Sequence, residues 1–380
     1  MAKKSPEKFN NYPLYSPRFW HGMRTGDYFH LLQRHRFRIH PLSWAMAAIL
    51  LPCTMFNSAL YRLQRWRYGQ QIDDVTIDQP PVFIVGHWRS GTTLMHELMV
   101  CDDRFTYPNT YECFTPHHFV ISEWILPRLL WILMPRKRPM DNMPAGFERP
   151  QEDEFALCAM GAPTPYNRMA FPNDPYDYSE CLDADAMSDW QRQQFSQALQ
   201  SFLKALTLMR GKRIILKSPP HTGRIGLLAQ MFPGARFVHM VRHPYALFPS
   251  TRRTWQALDA AQGFQIPHHK HLDDYVFNSL NRMYEAFERQ KAELDPAHIC
   301  QVRYEDLVAD PLSQLEHVYQ HLQLGDFDYV RGPVEDFLVG QRDYQANRHE
   351  LAPQLKAEID RRWSAYLQRY DYQQTEVPAA

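Results

Sequence analysis

From residue 81 onward, short apolar runs alternate with long amphipathic stretches. Pro81-Val-Phe-Ile-Val-Gly86 is rich in β-formers, too brief for a helix, and bounded by Pro and Gly. Residues 214–216, 235–241 and 298–302 read as three more strands. Helical periodicity fills residues 92–101, 189–210, 222–232, 245–255, 272–294 and 312–322. Such alternation predicts an α/β fold: a P-loop-like central parallel sheet flanked by helices. Open sheets of this kind bind ligands outside the carboxyl ends of their strands, so residues that follow a strand become the first candidates.

Before residue 76 the pattern differs. Residues 41–61 contain no charge, with Arg34, Arg36 and Arg38 before them and Arg62, Arg65 and Arg67 after. The length suits a membrane span, but Pro52, Asn57 and Ser58 interrupt it and cations on both flanks set no orientation. A helix lying at a membrane interface, or docked on the main domain, fits better. Residues 124–134 read as an apolar helix followed by Arg136-Lys137-Arg138, a second candidate for contact with a membrane surface. The expected division is a basic, apolar helical segment at residues 1–75 and an α/β domain at residues 76–380.

Composition sharpens this picture only through its placement. The 380 residues carry 42 Lys+Arg against 42 Asp+Glu, and 44% are hydrophobic. That describes a globular chain and excludes a global nucleic-acid binder. The zero hides a balance of +7 in residues 1–75 and −7 in the remainder. Six scattered cysteines, without a CxxC pair, predict reduced thiols and an intracellular protein. Met1 to Asn10 lacks an apolar signal core. The expected location is cytoplasmic, with peripheral contact at the inner face of the membrane as a further expectation. His268-His-Lys-His271 reads as a solvated loop. The acidic stretch at residues 148–154 has too few spaced ligands for calcium and reads as pairing with arginines or ordering a lid; Glu152 and Asp153 are weaker choices for touching substrate.

The first strand runs directly into Gly86-His-Trp-Arg-Ser-Gly-Thr-Thr93 and a helix. Strand, glycine loop and helix N-terminus together form a phosphate cradle of backbone amides. The G-x-x-x-x-G spacing matches a Walker A loop, yet Thr92 stands where that motif carries lysine. This disfavours ATP or GTP hydrolysis, and the positive charge sits inside the loop as Arg89. Trp88-Arg-Ser-Gly-Thr-Thr-Leu94 resembles the 5′-phosphosulfate loop of the sulfotransferases, in the variant found in tyrosylprotein and many bacterial members. The donor that this resemblance implies is 3′-phosphoadenosine 5′-phosphosulfate (PAPS), held by Arg89, Ser90, Gly91, Thr92 and Thr93.

A second match supports the first. Residues 237–241 end in Arg242, followed by His243-Pro244 and a helix carrying Ser250. Arg242 and Ser250 correspond to the family's pair for the 3′-phosphate. Leu216-Lys-Ser-Pro-Pro-His-Thr-Gly-Arg224 resembles the segment with an active-site lysine, Lys217, and Val302-Arg-Tyr-Glu-Asp-Leu307 a late strand-end motif. The carboxyl-terminal GxxGxxK loop of the cytosolic subgroup is missing, which leaves Arg348 as a guess for completing the adenine and 3′-phosphate site. The apolar amino-terminal segment resembles that of bacterial members acting on lipid-like alcohols.

The implied reaction is in-line sulfuryl transfer to the hydroxyl of a hydrophobic or lipid-like acceptor. Lys217 and Arg89 would steady developing charge, and no metal is expected. Glu112, after the loop helix, is the first choice of base by its likeness to the tyrosylprotein enzymes, and His221 the second by its likeness to the cytosolic ones. Two other readings compete: a P-loop nucleotide kinase, and a non-catalytic, membrane-associated nucleotide-binding protein. Neither the acceptor's identity nor the oligomeric state is legible.

Overall fold

The computed structural model describes residues 16–130, 146–340 and 351–373. Two helices come first, α1 (Thr25–Arg34) and α2 (Trp44–Asp74). Strand β1 (Val82–Val85) leads to α3 (Thr92–Met99), β2 (Phe105–Thr106) and four short helices, α4 (Thr110–Phe114), α5 (Phe119–Ser122), α6 (Leu126–Leu130) and α7 (Asp153–Ala159). Next come α8 (Asp189–Arg210), β3 (Arg213–Lys217), α9 (Ile225–Met231), β4 (Arg236–Val241), α10 (Pro244–Gln262) and α11 (Leu272–Lys291). Strand β5 (Ile299–Arg303) and helices α12 (Tyr304–Ala309), α13 (Pro311–Leu322), α14 (Asp328–Gly340), α15 (Pro353–Arg362) and α16 (Ser364–Arg369) complete the order.

The five strands are parallel in the order β2-β3-β1-β4-β5. The chain therefore reverses direction on either side of β1, and the carboxyl ends of β1, β3 and β4 face one crevice. This is where an open parallel sheet holds its ligand. Strand side chains alternate between two cores: Phe83, Val85, Leu216 and Phe237 on one face, Val82, Ile84, Ile215, Val238 and Met240 on the other. A sheet buried on both faces explains why these strands read as continuous apolar runs and not as alternating ones.

The local signals behave as the sequence predicts. Ser188 and Gln191 form a reciprocal capping box at the start of α8, and Gly211, at φ 61°, ends it. Pro244 occupies the first turn of α10, where its missing N–H costs nothing. That helix runs on to Gln262, past Pro249 and beyond the predicted boundary at residue 255, because its far half is buried against the body. The one strand absent from the sequence reading, β2, is two residues long and carries no period to detect.

The apolar segment is one continuous helix through Pro52. Its inner face shares the main core, with Ala47, Leu50 and Ile72 in the same cluster as Phe83 and Leu216. The segment before it is tied to α10, since Trp20 Nε1 donates to the Gln262 carbonyl at 2.6 Å and Arg18 Nε to Ala261 at 2.8 Å.

Candidate active site

The loop between β1 and α3 is built by positive φ angles. Gly86 sits at φ 142°, where a Cβ would come within 2.4 Å of the Met240 carbonyl oxygen; Gly91 sits at φ 99°, where a Cβ would meet the Tyr304 ring at 2.3 Å. Arg89, between them, is a non-glycine residue at φ 69°. Left-handed backbone at such a residue is sustained only when its surroundings hold it, and is concentrated at functional sites. Thr222 Oγ1 fixes the loop's start, accepting from the Gly86 amide at 2.7 Å and donating to the Pro219 carbonyl at 2.7 Å. Thr251 Oγ1 donates to the Trp88 carbonyl at 3.1 Å.

Three of the expected donor-binding residues converge here. Arg89 Nε donates to Ser250 Oγ at 3.0 Å, and an Arg242 guanidinium nitrogen donates to the Arg89 carbonyl at 2.9 Å. Strands β1 and β4 are neighbours in the sheet, so residues 161 apart in sequence meet across one loop. Arg242 lies over the Tyr304 ring, 3.9 Å from its centroid. Its backbone is pinned at both ends by Tyr366, whose hydroxyl accepts from the Arg242 amide at 3.1 Å and donates to its carbonyl at 3.0 Å. Arg89, Gly91, Thr93, Arg242 and Ser250 are partly exposed, which leaves the cradle open to a ligand. Ser90 Oγ is buried and lacks a hydrogen-bond partner among the described residues. Buried hydroxyls are normally satisfied. An orphaned hydroxyl, a glycine cradle and a helix N-terminus with unsatisfied amides fit a phosphate group well.

At the end of β3 lies a buried network that the sequence did not disclose. Lys217 Nζ donates to Glu152 Oε1 at 2.7 Å, and Glu152 Oε2 accepts from the Tyr166 hydroxyl at 2.5 Å. Tyr166 in turn accepts from Trp88 Nε1 at 2.8 Å, linking the network back to the phosphate loop. His221 Nε2 lies 2.6 Å from Asp153 Oδ2, and Ser218 Oγ donates to Asp153 Oδ1 at 2.7 Å. Glu154 accepts from both Arg224, at 3.0 Å, and Thr164, at 2.5 Å. Burial alone would raise the Asp153 carboxyl; the charge of His221 and hydrogen bonds from His221 and Ser218 hold it below its ordinary value. Three consecutive acids preceding an apolar helix were the available signal, because such a run enters a core only when each member is paired.

Glu112 lies elsewhere in the same region. It caps α4, its carboxylate accepting from the Asn109 amide at 2.7 Å, while Arg210 donates to its other oxygen at 2.8 Å. Burial raises its pKa to about 7 despite the bonds from Arg210 and Asn109. The Cys113 thiol, pushed well up by burial, feels Asp153, Glu112, Lys217 and Glu152 together. Glu112 and the Lys217 network thus act on one thiol, that of Cys113. Arg348 lies outside the described residues.

The comparisons with known proteins agree with this geometry. Residues 80–328 match the model of the "Sulfotransferase family". The chain is 38% identical, over 98% of its length and 95% of theirs, to omega-hydroxy-beta-dihydromenaquinone-9 sulfotransferases from Mycobacterium bovis and Mycobacterium tuberculosis. In fold it is similar to the crystal structure of a Mycobacterium avium sulfotransferase, with TM-score 0.62 and 16% identity over 92% of this chain and 97% of that one. A Mycobacterium tuberculosis sulfotransferase gives TM-score 0.59 and 18% identity, covering 90% of each chain.

Proposed function

This chain belongs to the sulfotransferase family and is a sulfotransferase, and we propose that it moves the sulfuryl group of PAPS to a terminal hydroxyl of a prenylated quinol-type lipid. Family membership favours this over a nucleotide kinase or a non-catalytic binder, and the absent Walker lysine agrees. The observation that carries the reading is the convergence of Arg89, Arg242 and Ser250 on one loop beside Lys217. The acceptor class is argued from the near full-length relatives, whose names state a hydroxylated menaquinone derivative.

In this proposal the amides of Ser90 to Thr93, the Ser90 hydroxyl and Arg89 hold the 5′-phosphate. Arg242 and Ser250 hold the 3′-phosphate, with Tyr304 and Tyr366 fixing Arg242. PAPS supplies an activated sulfuryl group on a phosphate leaving group. The acceptor O–H gives its proton to a base, the oxygen bonds to sulfur, and the sulfur–phosphate bond breaks with its electron pair going to the phosphate. Lys217 stabilises the charge on that bridging oxygen.

The geometry supports Glu152 as the base over Glu112 and His221. Glu112 and Glu152 each have both carboxylate oxygens engaged, but the Glu112 side chain is fully buried under a backbone cap and Arg210. His221 is equally buried, with Nε2 bound to Asp153. Glu152 alone of the three touches Lys217, and its side chain is 10% exposed. A base must reach the proton it takes, so contact with the charge-stabilising lysine outweighs a favourable pKa elsewhere. The test is incubation of the enzyme with PAPS and an ω-hydroxylated menaquinol, read by mass spectrometry for the gain of one SO3. No gain with this lipid but transfer to a short aryl alcohol would overturn the acceptor class; no transfer to either would overturn the reading as a whole.

A further inference from the structure

Helix α2 is amphipathic in the wrong sense for a helix packed in water. The face turned to the protein carries Thr54, Asn57, Gln64 and Gly69 beside Ala47, Leu50 and Ile72. Asn57 is satisfied there: its Nδ2 donates to the carbonyls of His21, at 2.5 Å, and Met23, at 3.0 Å, and its Oδ1 lies 3.2 Å from His118 Nε2. The outward face carries Ile49, Met55, Phe56, Leu63 and Trp66, with Ile49 64% and Trp66 80% exposed. Exposed Ala45 and Ala48 precede them and exposed Pro52 and Ala59 lie between them, so no charge interrupts the stripe before Arg62. Water-facing helices show the reverse arrangement, and a contiguous exposed apolar surface of this extent marks an interaction site.

The stripe continues onto a neighbouring element. The Phe56 ring meets His118 edge-on at 6.3 Å, and beyond α5 come Trp124 and Leu129, 66% and 63% exposed. Cations bound the patch on every side: Arg36 and Arg38 before α2, Arg62, Arg65 and Arg67 near its end, and Arg128 beside Leu129, all exposed. Arg65 is paired with Asp73 and Arg38 with Asp174. Of the described helices, the one spanning Pro41–Asp74 is long and apolar enough to cross a membrane by length and composition. Its inner face nevertheless belongs to the protein core from Ala47 to Ile72, so a bilayer can meet only its outer face.

We propose that this face of α2, with Trp124 and Leu129, lies in the headgroup boundary of an anionic bilayer, its apolar stripe in the acyl region and its arginines on lipid phosphates. The charge distribution selects the bilayer over a second copy of the chain. A two-fold pairing of α2 helices sets Arg36 and Arg38 of one copy against Arg62 and Arg67 of the other when antiparallel, and like against like when parallel. Anionic headgroups satisfy both ends, and tryptophans at Trp44, Trp66 and Trp124 suit the polar–apolar boundary. Asn57 and His118 bond this helix to the segment that follows α4, which fixes its outer face relative to the body.

Flotation of the full chain with phosphatidylglycerol–phosphatidylcholine vesicles, without donor or acceptor, tests this independently of catalysis. The wild type floats with anionic vesicles. Ile49→Glu/Met55→Glu, whose sites are exposed, keeps the melting temperature and loses at least tenfold in binding. Arg62→Glu/Arg67→Glu also binds at least tenfold more weakly, and wild-type binding falls in phosphatidylcholine alone or at high salt. Failure of the wild type to float with anionic vesicles overturns the proposal, as does undiminished binding of Ile49→Glu/Met55→Glu. A dimer in size-exclusion chromatography that the same variant disperses assigns the face to a second copy and overturns it equally.

Discussion

Two buried carboxylates near one lysine separate by what each touches. Glu152→Gln removes the proposed base and the anionic partner of Lys217, and turnover is expected to fall by about 10²–10⁴-fold with the fold intact. Lys217→Met is expected to lower kcat by about 10²–10³-fold. Glu112→Gln is expected to leave kcat within a few-fold and to act instead on stability. The sign follows from linkage. The Glu112 pKa lies near 7 in the folded protein and near 4.5 in a free side chain, so the folded state holds the extra proton between those values. Stability from this group therefore falls as pH rises from 4.5 through 7, by up to about 3 kcal/mol. Denaturant unfolding across that window should show the slope in the wild type and lack it in Glu112→Gln. A collapse of single-turnover rate in Glu112→Gln, with Glu152→Gln unimpaired, would return the base role to Glu112. The cations of the proposed donor site were legible as individual residues, because Arg89 lies in the loop after β1, Lys217 ends β3 and Arg242 follows β4. Glu152 was not, since its partner stands 65 residues away and nothing local reveals the contact.

Elements were legible where a period or a cap wrote them. The strands that carry the site and the long helices α8, α11 and α13 are placed within a few residues of their predicted bounds. Helix α6 falls inside the apolar helix expected at residues 124–134, but strand β2 and the short helices α4 and α5 were not legible, because their conformation is imposed by packing on neighbours. For α2 the sequence held two readings open, an interfacial helix and a docked one. Its polar inner face and apolar outer face satisfy the geometry of both. The phosphate loop offers the sharpest element-scale test. Gly91→Ala places a Cβ 2.3 Å from the Tyr304 ring at a φ of 99°, and should cost about 1–3 kcal/mol. It should also weaken 3′-phosphoadenosine 5′-phosphate binding by calorimetry, because Tyr304 supports Arg242. Normal stability with normal affinity would show that the loop relaxes without loss. Ser250→Ala tests the other end of the donor. It removes the acceptor of the Arg89 bond, and a lost hydrogen bond to a charged group is worth about 1.5–3 kcal/mol. The Kd for the same nucleotide should therefore rise, and kcat at saturation should change little.

At the scale of the whole molecule, a chain of zero net charge assembles local fields that its total conceals. The cations Arg62, Arg65 and Arg67 stand exposed on α2. Residues 76–380 sum to −7, yet Arg89, Lys217 and Arg242 stand at the carboxyl edge of the sheet. That balance alone would repel a nucleotide with phosphates at both ends of its ribose, so binding must rest on these few fixed cations and on the amides at the start of α3. That sets the selectivity expected of the folded protein. In the proposed site 3′-phosphoadenosine 5′-phosphate would meet both anion sites, whereas ATP carries its charge at one end and finds no Walker lysine. A ligand held at about 100 times its Kd stabilises the native state by about 2.7 kcal/mol. The bisphosphate should accordingly raise the melting temperature by several degrees, and ATP at equal concentration far less. Arg242→Ala should remove most of the difference by abolishing the second anchor. Equal shifts with both nucleotides would mean that one phosphate site dominates and that Arg242 and Ser250 serve the fold instead of the donor.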